Sequence, residues 1–454
     1  MDKVIHPIRK MRANIKLPGD TAISHRAALV AALCKEPVVI ENFATGLECL
    51  VTLQCLTALG VEWEKEGNDI TVHGKGVRGL QKPSEPLNVG NSIPTARLIC
   101  GILAACDFDS ELVCGEEICN LPMRRIIEPL SRMGAEFESN NFRMPLKIKG
   151  AKLTGINYPM PVSSSQVKGT LLMAGLLGDG TTEIIERIPS RDHMERLLTY
   201  FGIRLKKSRV EPKPSDEDPL IKRFKKETGN VSPDIKGDMY SIAGGQKIAA
   251  KQLRIPGDVS AAAYFVIAGL LVKDAVVRVE EVNLNSTRLG FAEVLEKMRA
   301  PIVLENKGEF GFEPYGTIEI KSAPIKGRRM VGELIPSIID ELPIMSIVAA
   351  SAQGTSVIRD AYELRNQKVD RIKSISSNLR KMGVKVGELD DGMAIDGMPS
   401  LEGAEIDSFG DYRIAMAFAI AGLIAEGSTV IKDAECVDSF YPGFWDEIDR
   451  ISGK

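Results

Sequence analysis

The chain has 454 residues, 44% of them hydrophobic, and 58 lysines and arginines against 61 aspartates and glutamates give a formal net charge of -3. That length predicts two or three domains with real cores, and mixed charges without a basic stripe exclude nucleic acid and anionic membrane as partners. The opening MDKVIHPIRKMRANIK holds no apolar signal core and no apolar run approaches the roughly 18 residues that span a bilayer, so the expectation is a cytoplasmic protein without a secretory signal.

Two kinds of helical segment then alternate along the chain. AALVAAL (27–33) is apolar all round, which predicts a buried helix. LTALGVEWE (56–64) is the end of an amphipathic helix closed by a glycine cap and followed by a short strand. The pair recurs as ARLICGILAA (96–105) with LSRMGAEFE (130–138), and as TLLMAGLLGDGTTEII (170–185) with LTYFGIRLK (198–206). It continues as AYFVIAGLLVKDAVVRV (263–279) with LEKMRAPIV (295–303), and MSIVAASAQGTSVI (345–358) with LRKMGVKVG (379–387). AMAFAIAGLIAEGSTVI (415–431) with FWDEIDRI (444–451) completes a sixth copy. Repetition of this kind sets the architecture before any single motif is weighed.

LPGDTAISHRAALVAAL (17–33) returns as IPGDVSAAAYFVIAGLL (255–271), dividing the copies into two sets of three. The predicted fold is therefore α/β, with two similar lobes: residues 1–18 with 257–454, and residues 19–256. A charged, proline-containing stretch at about 207–238 interrupts the repeat and reads as an inserted surface excursion with one short helix at 220–227. The eight cysteines and four histidines are dispersed, which predicts buried thiols with no metal and no cofactor. Cys114 and Cys119 alone lie close, separated by four residues and with no histidine near.

The loops between repeats resemble a known family, the enolpyruvyl transferases, in their shikimate 3-phosphate branch. The resemblance rests on PGDTAISHRA (18–27), GNSIPTARL (90–98), SSSQVKGTLLMAGL (163–176), SRDHMERL (190–197), PGDVSAAAYF (256–265), LNSTRLG (284–290), IDELP (339–343), ELRNQKVDR (363–371) and FGDYRIAMA (409–417). It covers the whole chain apart from the insertion. It implies two lobes, each of three βαββαβ units in an inside-out α/β barrel with a cleft between the lobes. It also implies a monomer acting on small anions, shikimate 3-phosphate and phosphoenolpyruvate. By resemblance, Arg26 would hold a carboxylate, and Ser164, Ser165, Gln166, Ser190 and Arg191 would hold the shikimate half. Asp340 would be the catalytic carboxylate, with Arg371 and Arg413 as supporting cations.

The second substrate's half departs from the family pattern. The family's Gly-Asp-Lys-Ser reads GDTA here, with Thr21 and Ala22, and its Gly-Asn-Ser-Gly-Thr reads GNSIP, with Ile93 and Pro94. Leu121 replaces an arginine, Gln367 a lysine, Lys368 a glutamate and Tyr412 a histidine. These changes predict weak or absent ordinary enolpyruvyl transfer. The alternatives are elimination or isomerisation of a shikimate-like cyclohexene carboxylate, or an anion-binding homologue without catalysis. For Asp340 the plainer reading is a helix N-cap.

Overall fold

In the computed structural model, which describes residues 1–210 and 237–453, the apolar and the glycine-closed segments both form helices, and strands join them. Amphipathic helices Leu47–Ala58, Arg124–Arg132, His193–Tyr200 and Arg371–Lys381 are each followed by a left-handed glycine. Gly60, Gly134, Gly202 and Gly383 have φ of 84°, 114°, 86° and 83°. In the copy without a glycine, Arg299 itself takes φ 70°, at a cost of about 1–2 kcal/mol for a residue with a Cβ.

Four-stranded sheets repeat one plan. Leu87–Asn88 runs parallel to Asp109–Val113 across the buried crossover Ile93–Leu103, and Arg143–Lys149 and then Glu136–Asn140 add antiparallel. Asn157–Pro159, Thr181–Glu186, Gly237–Ala243 and Leu205–Val210 do the same. So do Met11–Lys16, Ala275–Asn283, Glu313–Lys321 and Ile302–Phe310, and likewise Arg329–Met330, Thr355–Ile358, Gly392–Asp396 and Lys385–Leu389. The order within a repeat is βαβαββ, which corrects the expected βαββαβ. The first three strands of each repeat run in one direction, so each step between them needs a helical crossover. The fourth returns by a hairpin and inserts between the second and third.

The chain divides into two compact units, Met1–Thr21 with Asn42–Leu47 and Arg254–Lys454, and Ala22–Glu41 with Glu48–Leu253. In the first, helices Val259–Leu271, Leu342–Ser351 and Tyr412–Ile424 pack on one another as the core. There Lys3–Ile5 pairs antiparallel with Thr429–Lys432, so the chain's opening strand belongs to the sheet of the last repeat. In the second unit, Ile93–Leu103 packs on Ser165–Leu177. They approach tightly at Gly101, where a Cβ would stand 2.4 Å from the Thr170 carbonyl oxygen. Gly101→Ala is therefore expected to destabilise this unit by about 1–3 kcal/mol, because backbone must move to admit the methyl. Urea titration followed by circular dichroism checks it, and an unchanged midpoint would show the contact to be soft.

The stretch assigned to an insertion is narrower than 207–238. Lys207–Val210 and Gly237–Asp238 pair as strand residues, Val210 with Gly237, and Lys207 Nζ lies 2.8 Å from Asp238 Oδ2. The helix expected at 220–227 falls outside the described residues. Among the described residues no single helix is long and apolar enough to cross a membrane.

Candidate active site

In the Ala22-containing unit, helix Thr21–Ala32 carries Arg26 on a buried turn. Its guanidinium donates through Nη1 to the Ala22 carbonyl at 2.7 Å and through Nη2 to the Ser165 carbonyl at 3.0 Å, with Ser165 Oγ at 3.4 Å. Ser165 opens helix Ser165–Leu177, and Ser164 caps it by accepting from Val167 N at 3.4 Å. Gln166 Oε1 accepts from Arg97 Nη1 at 2.7 Å. Arg26 and Ser165 are thus bonded to each other, with Ser164 and Gln166 on either side of Ser165 at the helix start. Ser190 Oγ is a buried hydroxyl with no hydrogen-bond partner among the described residues, and Arg191 beside it is half-buried.

The GNSIP loop is closed by its own side chains. Ser92 caps helix Ile93–Leu98 by accepting from Thr95 N at 3.4 Å, and Pro94 in the first turn has no N–H to offer. A buried line of hydroxyls runs from His25 Nδ1 to Thr52 Oγ1 at 2.7 Å, on to Thr95 Oγ1 at 2.6 Å and to Ser92 Oγ at 2.8 Å. Leu121 is buried at 6% exposure.

Sequence reasoning missed a buried ion cluster in the same unit. Lys168, inside the apolar helix Ser165–Leu177, has no exposed side-chain surface, and its Nζ lies 2.7 Å from Glu186 Oε2 and 2.6 Å from Glu195 Oε1. It also sits 4.7 Å from the centre of the Tyr240 ring. Burial works against the Lys168 charge, but the carboxylates of Glu195 and Glu186 outweigh it and hold the ammonium protonated. Burial pushes the Glu195 carboxyl up, with Lys168 opposing.

In the other unit, Asp340 lies in the turn between helices Ile335–Ile338 and Leu342–Ser351. The N-cap residue of the latter is Glu341, which makes no side-chain cap bond, so the N-cap reading of Asp340 is corrected. The Asp340 carboxylate goes instead to Arg413, Oδ1 to Nη2 at 3.3 Å, and Arg413 Nη1 donates to the Asp340 carbonyl at 3.2 Å. Burial disfavours the Arg413 charge, and Asp340 opposite it more than compensates. Tyr412 stacks on Phe440 with ring centres 4.9 Å apart and planes at 7°, and the Arg413 guanidinium lies 5.2 Å and 5.5 Å from the two ring centres.

Arg371 Nε binds Asp411 Oδ2 at 2.7 Å, and Asp411 Oδ1 caps the next helix at Arg413 N, 2.9 Å away. Burial opposes ionisation of Asp411, yet Arg371 holds its carboxyl below the ordinary value. Arg371 and Arg413 are thereby fixed to one acidic residue. Gln367 spends an amide N–H on the Glu363 carbonyl at 3.0 Å. Behind Asp340, Glu341 accepts from Ser260 Oγ, and Arg288 donates to Ser260 Oγ at 2.7 Å and pairs with Asp20 at 2.9 Å. No sequence period announces such a network. Its signal was the recurrence of Gly-Asp at 19–20 and 257–258, read only as a repeat.

A family model described as EPSP synthase (3-phosphoshikimate 1-carboxyvinyltransferase) matches residues 5–218 and 212–448. The chain belongs to the EPSP synthase family. Proteins named 3-phosphoshikimate 1-carboxyvinyltransferase from Bacillus thuringiensis strain Al Hakam and Bacillus pumilus strain SAFR-032 are 39% and 38% identical over 99% of this chain and 99% of their own lengths. The structure of EPSP synthase from Acinetobacter baumannii matches with a TM-score of 0.82 at 34% identity, covering 99% of this chain and 98% of that one. The enolpyruvyl transferase NikO from Streptomyces tendae matches with a TM-score of 0.76 over 99% of this chain and 96% of its own, at 15% identity, which speaks to fold alone. The repeats read from the sequence are those of the EPSP synthase fold.

Proposed function

We propose that the chain binds a shikimate 3-phosphate-like anion through Arg26, Ser164, Ser165, Gln166, Ser190 and Arg191, and that its ordinary enolpyruvyl transfer is far slower than typical enzymatic turnover. The curated relatives carry the name of an enzyme acting on 3-phosphoshikimate, which supports the ligand class. One observation carries the loss of transfer: where the resemblance implies cations for phosphoenolpyruvate, the chain has Thr21, Leu121 and Gln367. Leu121 is buried hydrocarbon, Pro94 has no N–H, and Gln367 is neutral with an amide N–H already spent. Each lost charge-assisted contact is worth about 1.5–3 kcal/mol, and a lost acid or base about 3–5 kcal/mol. Losses in one cluster do not add, yet two of them suffice for orders of magnitude in rate.

Scanning calorimetry with shikimate 3-phosphate at 100 times its dissociation constant is expected to show about 2.7 kcal/mol of added stability. Phosphoenolpyruvate alone, or glyphosate added to the shikimate 3-phosphate complex, is expected to add none. Phosphate release from the two substrates at about 1 per second or faster, the ordinary range for enzymes, would overturn the reading. A second reading is elimination or isomerisation on a single cyclohexene carboxylate, favoured by Asp340 standing against Arg413 while Thr21, Leu121 and Gln367 stand where cations for the other anion are implied. Proton NMR of shikimate 3-phosphate incubated with the protein alone separates the two, because only this reading predicts a change in ring signals.

A further inference from the structure

Cys34, Cys49, Cys55, Cys100 and Cys106 are buried as the sequence predicted, whereas Cys114, Cys119 and Cys436 are partly exposed. Two of these exposed thiols meet. The Sγ atoms of Cys114 and Cys119 are 3.1 Å apart, and Cys119 Sγ donates to the Gly115 carbonyl at 3.2 Å. Cys114 follows strand Asp109–Val113, and Cys119 follows the single 3-10 turn Glu116–Ile118. The backbone braces this turn: Gly115 N donates to Gly90 O at 2.8 Å, Ile118 N to Gly115 O at 3.3 Å, and Leu121 N to Ile118 O at 2.9 Å. Gly115 fits beneath Asn91, whose Oδ1 would stand 2.1 Å from a Cβ placed there. The two sulfurs are thus held about 1 Å beyond bonding distance by a turn that has little freedom to part them.

We propose that Cys114 and Cys119 form a reversible dithiol/disulfide site that exchanges with low-molecular-weight disulfides. With a small disulfide RSSR as oxidant, the Cys119 thiolate attacks one sulfur, forming a protein–SR bond and releasing RS⁻. The Cys114 thiolate then attacks the Cys119 sulfur, closing the internal bond and releasing the second RS⁻. Two electrons pass to RSSR, and the two protons lost by the cysteines convert the released thiolates to RSH. Burial and the hydrogen bond with Cys119 push the Cys114 thiol up to about 12, so the second, intramolecular step depends on the 3.1 Å approach of the two sulfurs rather than on an abundant Cys114 thiolate. Because the turn touches Gly90 and Asn91 on one side and leads into Leu121 on the other, the oxidation state is felt by both the GNSIP and NLPM loops.

The test is peptide mapping of the folded protein after exposure to cystamine, with alkylation of remaining thiols and cleavage after Glu116 or Glu117, which separates the two cysteines. Expected is the loss of about two titratable thiols per chain, a linked Cys114–Cys119 peptide pair, and full recovery with dithiothreitol. Cys114→Ser is expected to stop at a stable mixed disulfide on Cys119. Alkylation of both cysteines after oxidation, or separate mixed disulfides on each without the linked pair, would overturn the proposal. If the serine variant does not fold, the wild-type map decides the matter alone.

Discussion

Replacing Lys168 by methionine is expected to lower the stability of the Ala22-containing unit by about 3–5 kcal/mol, since it strands Glu186 and Glu195 in the interior without their cation. For a unit of this size that is a fall of roughly 10 °C in the unfolding midpoint. The loss also has a direction in pH. Burial already raises the Glu195 carboxyl, and without Lys168 to oppose it the folded pKa of that group moves further above the unfolded value of about 4.3. A raised folded value contributes stability below the unfolded pKa that disappears as pH rises through the folded one. The deficit relative to wild type should therefore be larger at pH 8 than at pH 5. A triple variant with Lys168→Met, Glu186→Leu and Glu195→Leu should regain most of the loss, because removing a whole buried ion set is often near neutral. Calorimetry of the three proteins at both pH values checks this, and a single-variant loss below about 1 kcal/mol would mean that water reaches the cluster.

Asp340→Asn is expected to cut whatever phosphate release the wild-type protein gives with shikimate 3-phosphate and phosphoenolpyruvate by a further factor of about 100 to 10,000, the worth of a positioned acid or base. Asparagine keeps the shape and the reach toward Arg413 but cannot accept a proton. The loss should fall on kcat, with KM and the calorimetric shift given by shikimate 3-phosphate little changed. Asp340→Ser, which would rescue a helix cap, should be no better than asparagine, since the N-cap position of helix Leu342–Ser351 is Glu341. Full turnover in either variant would make the carboxylate a brace for Arg413 and no more.

Much of the fold was legible because it is periodic. The helices Val259–Leu271 and Tyr412–Ile424 are apolar on every face and are buried on every face. Gly60, Gly134, Gly202 and Gly383 mark helix ends because their φ is positive. Long-range polar pairings leave no such trace. Lys168 stood in the sequence as one lysine within SSSQVKGT, and its partners Glu186 and Glu195 come from a strand and a helix further on. The order of helices and strands within a repeat, βαββαβ by resemblance, is βαβαββ in the structure, because short strands of two or three residues such as Leu87–Asn88 and Asn157–Pro159 leave no periodic trace. The candidate site residues were named by motif rather than by geometry. Their mutual bonds, Arg26 to Ser165 and Asp340 to Arg413, connect positions 139 and 73 residues apart, beyond any local pattern.

The pairing of Lys3–Ile5 with the strand Thr429–Lys432 has a consequence for the order in which a ribosome can finish this protein. The Asp2 carboxylate meets Lys432 across 430 residues, and at about 5–20 residues per second the opening segment waits roughly 20–90 s for its partner to be synthesised. Meanwhile residues 22–253 emerge as a nearly continuous stretch able to collapse on its own core. Strand Lys3–Ile5 is therefore used late, and during that interval Val4 and Ile5 travel as an unpaired edge that a chaperone would be well placed to cover.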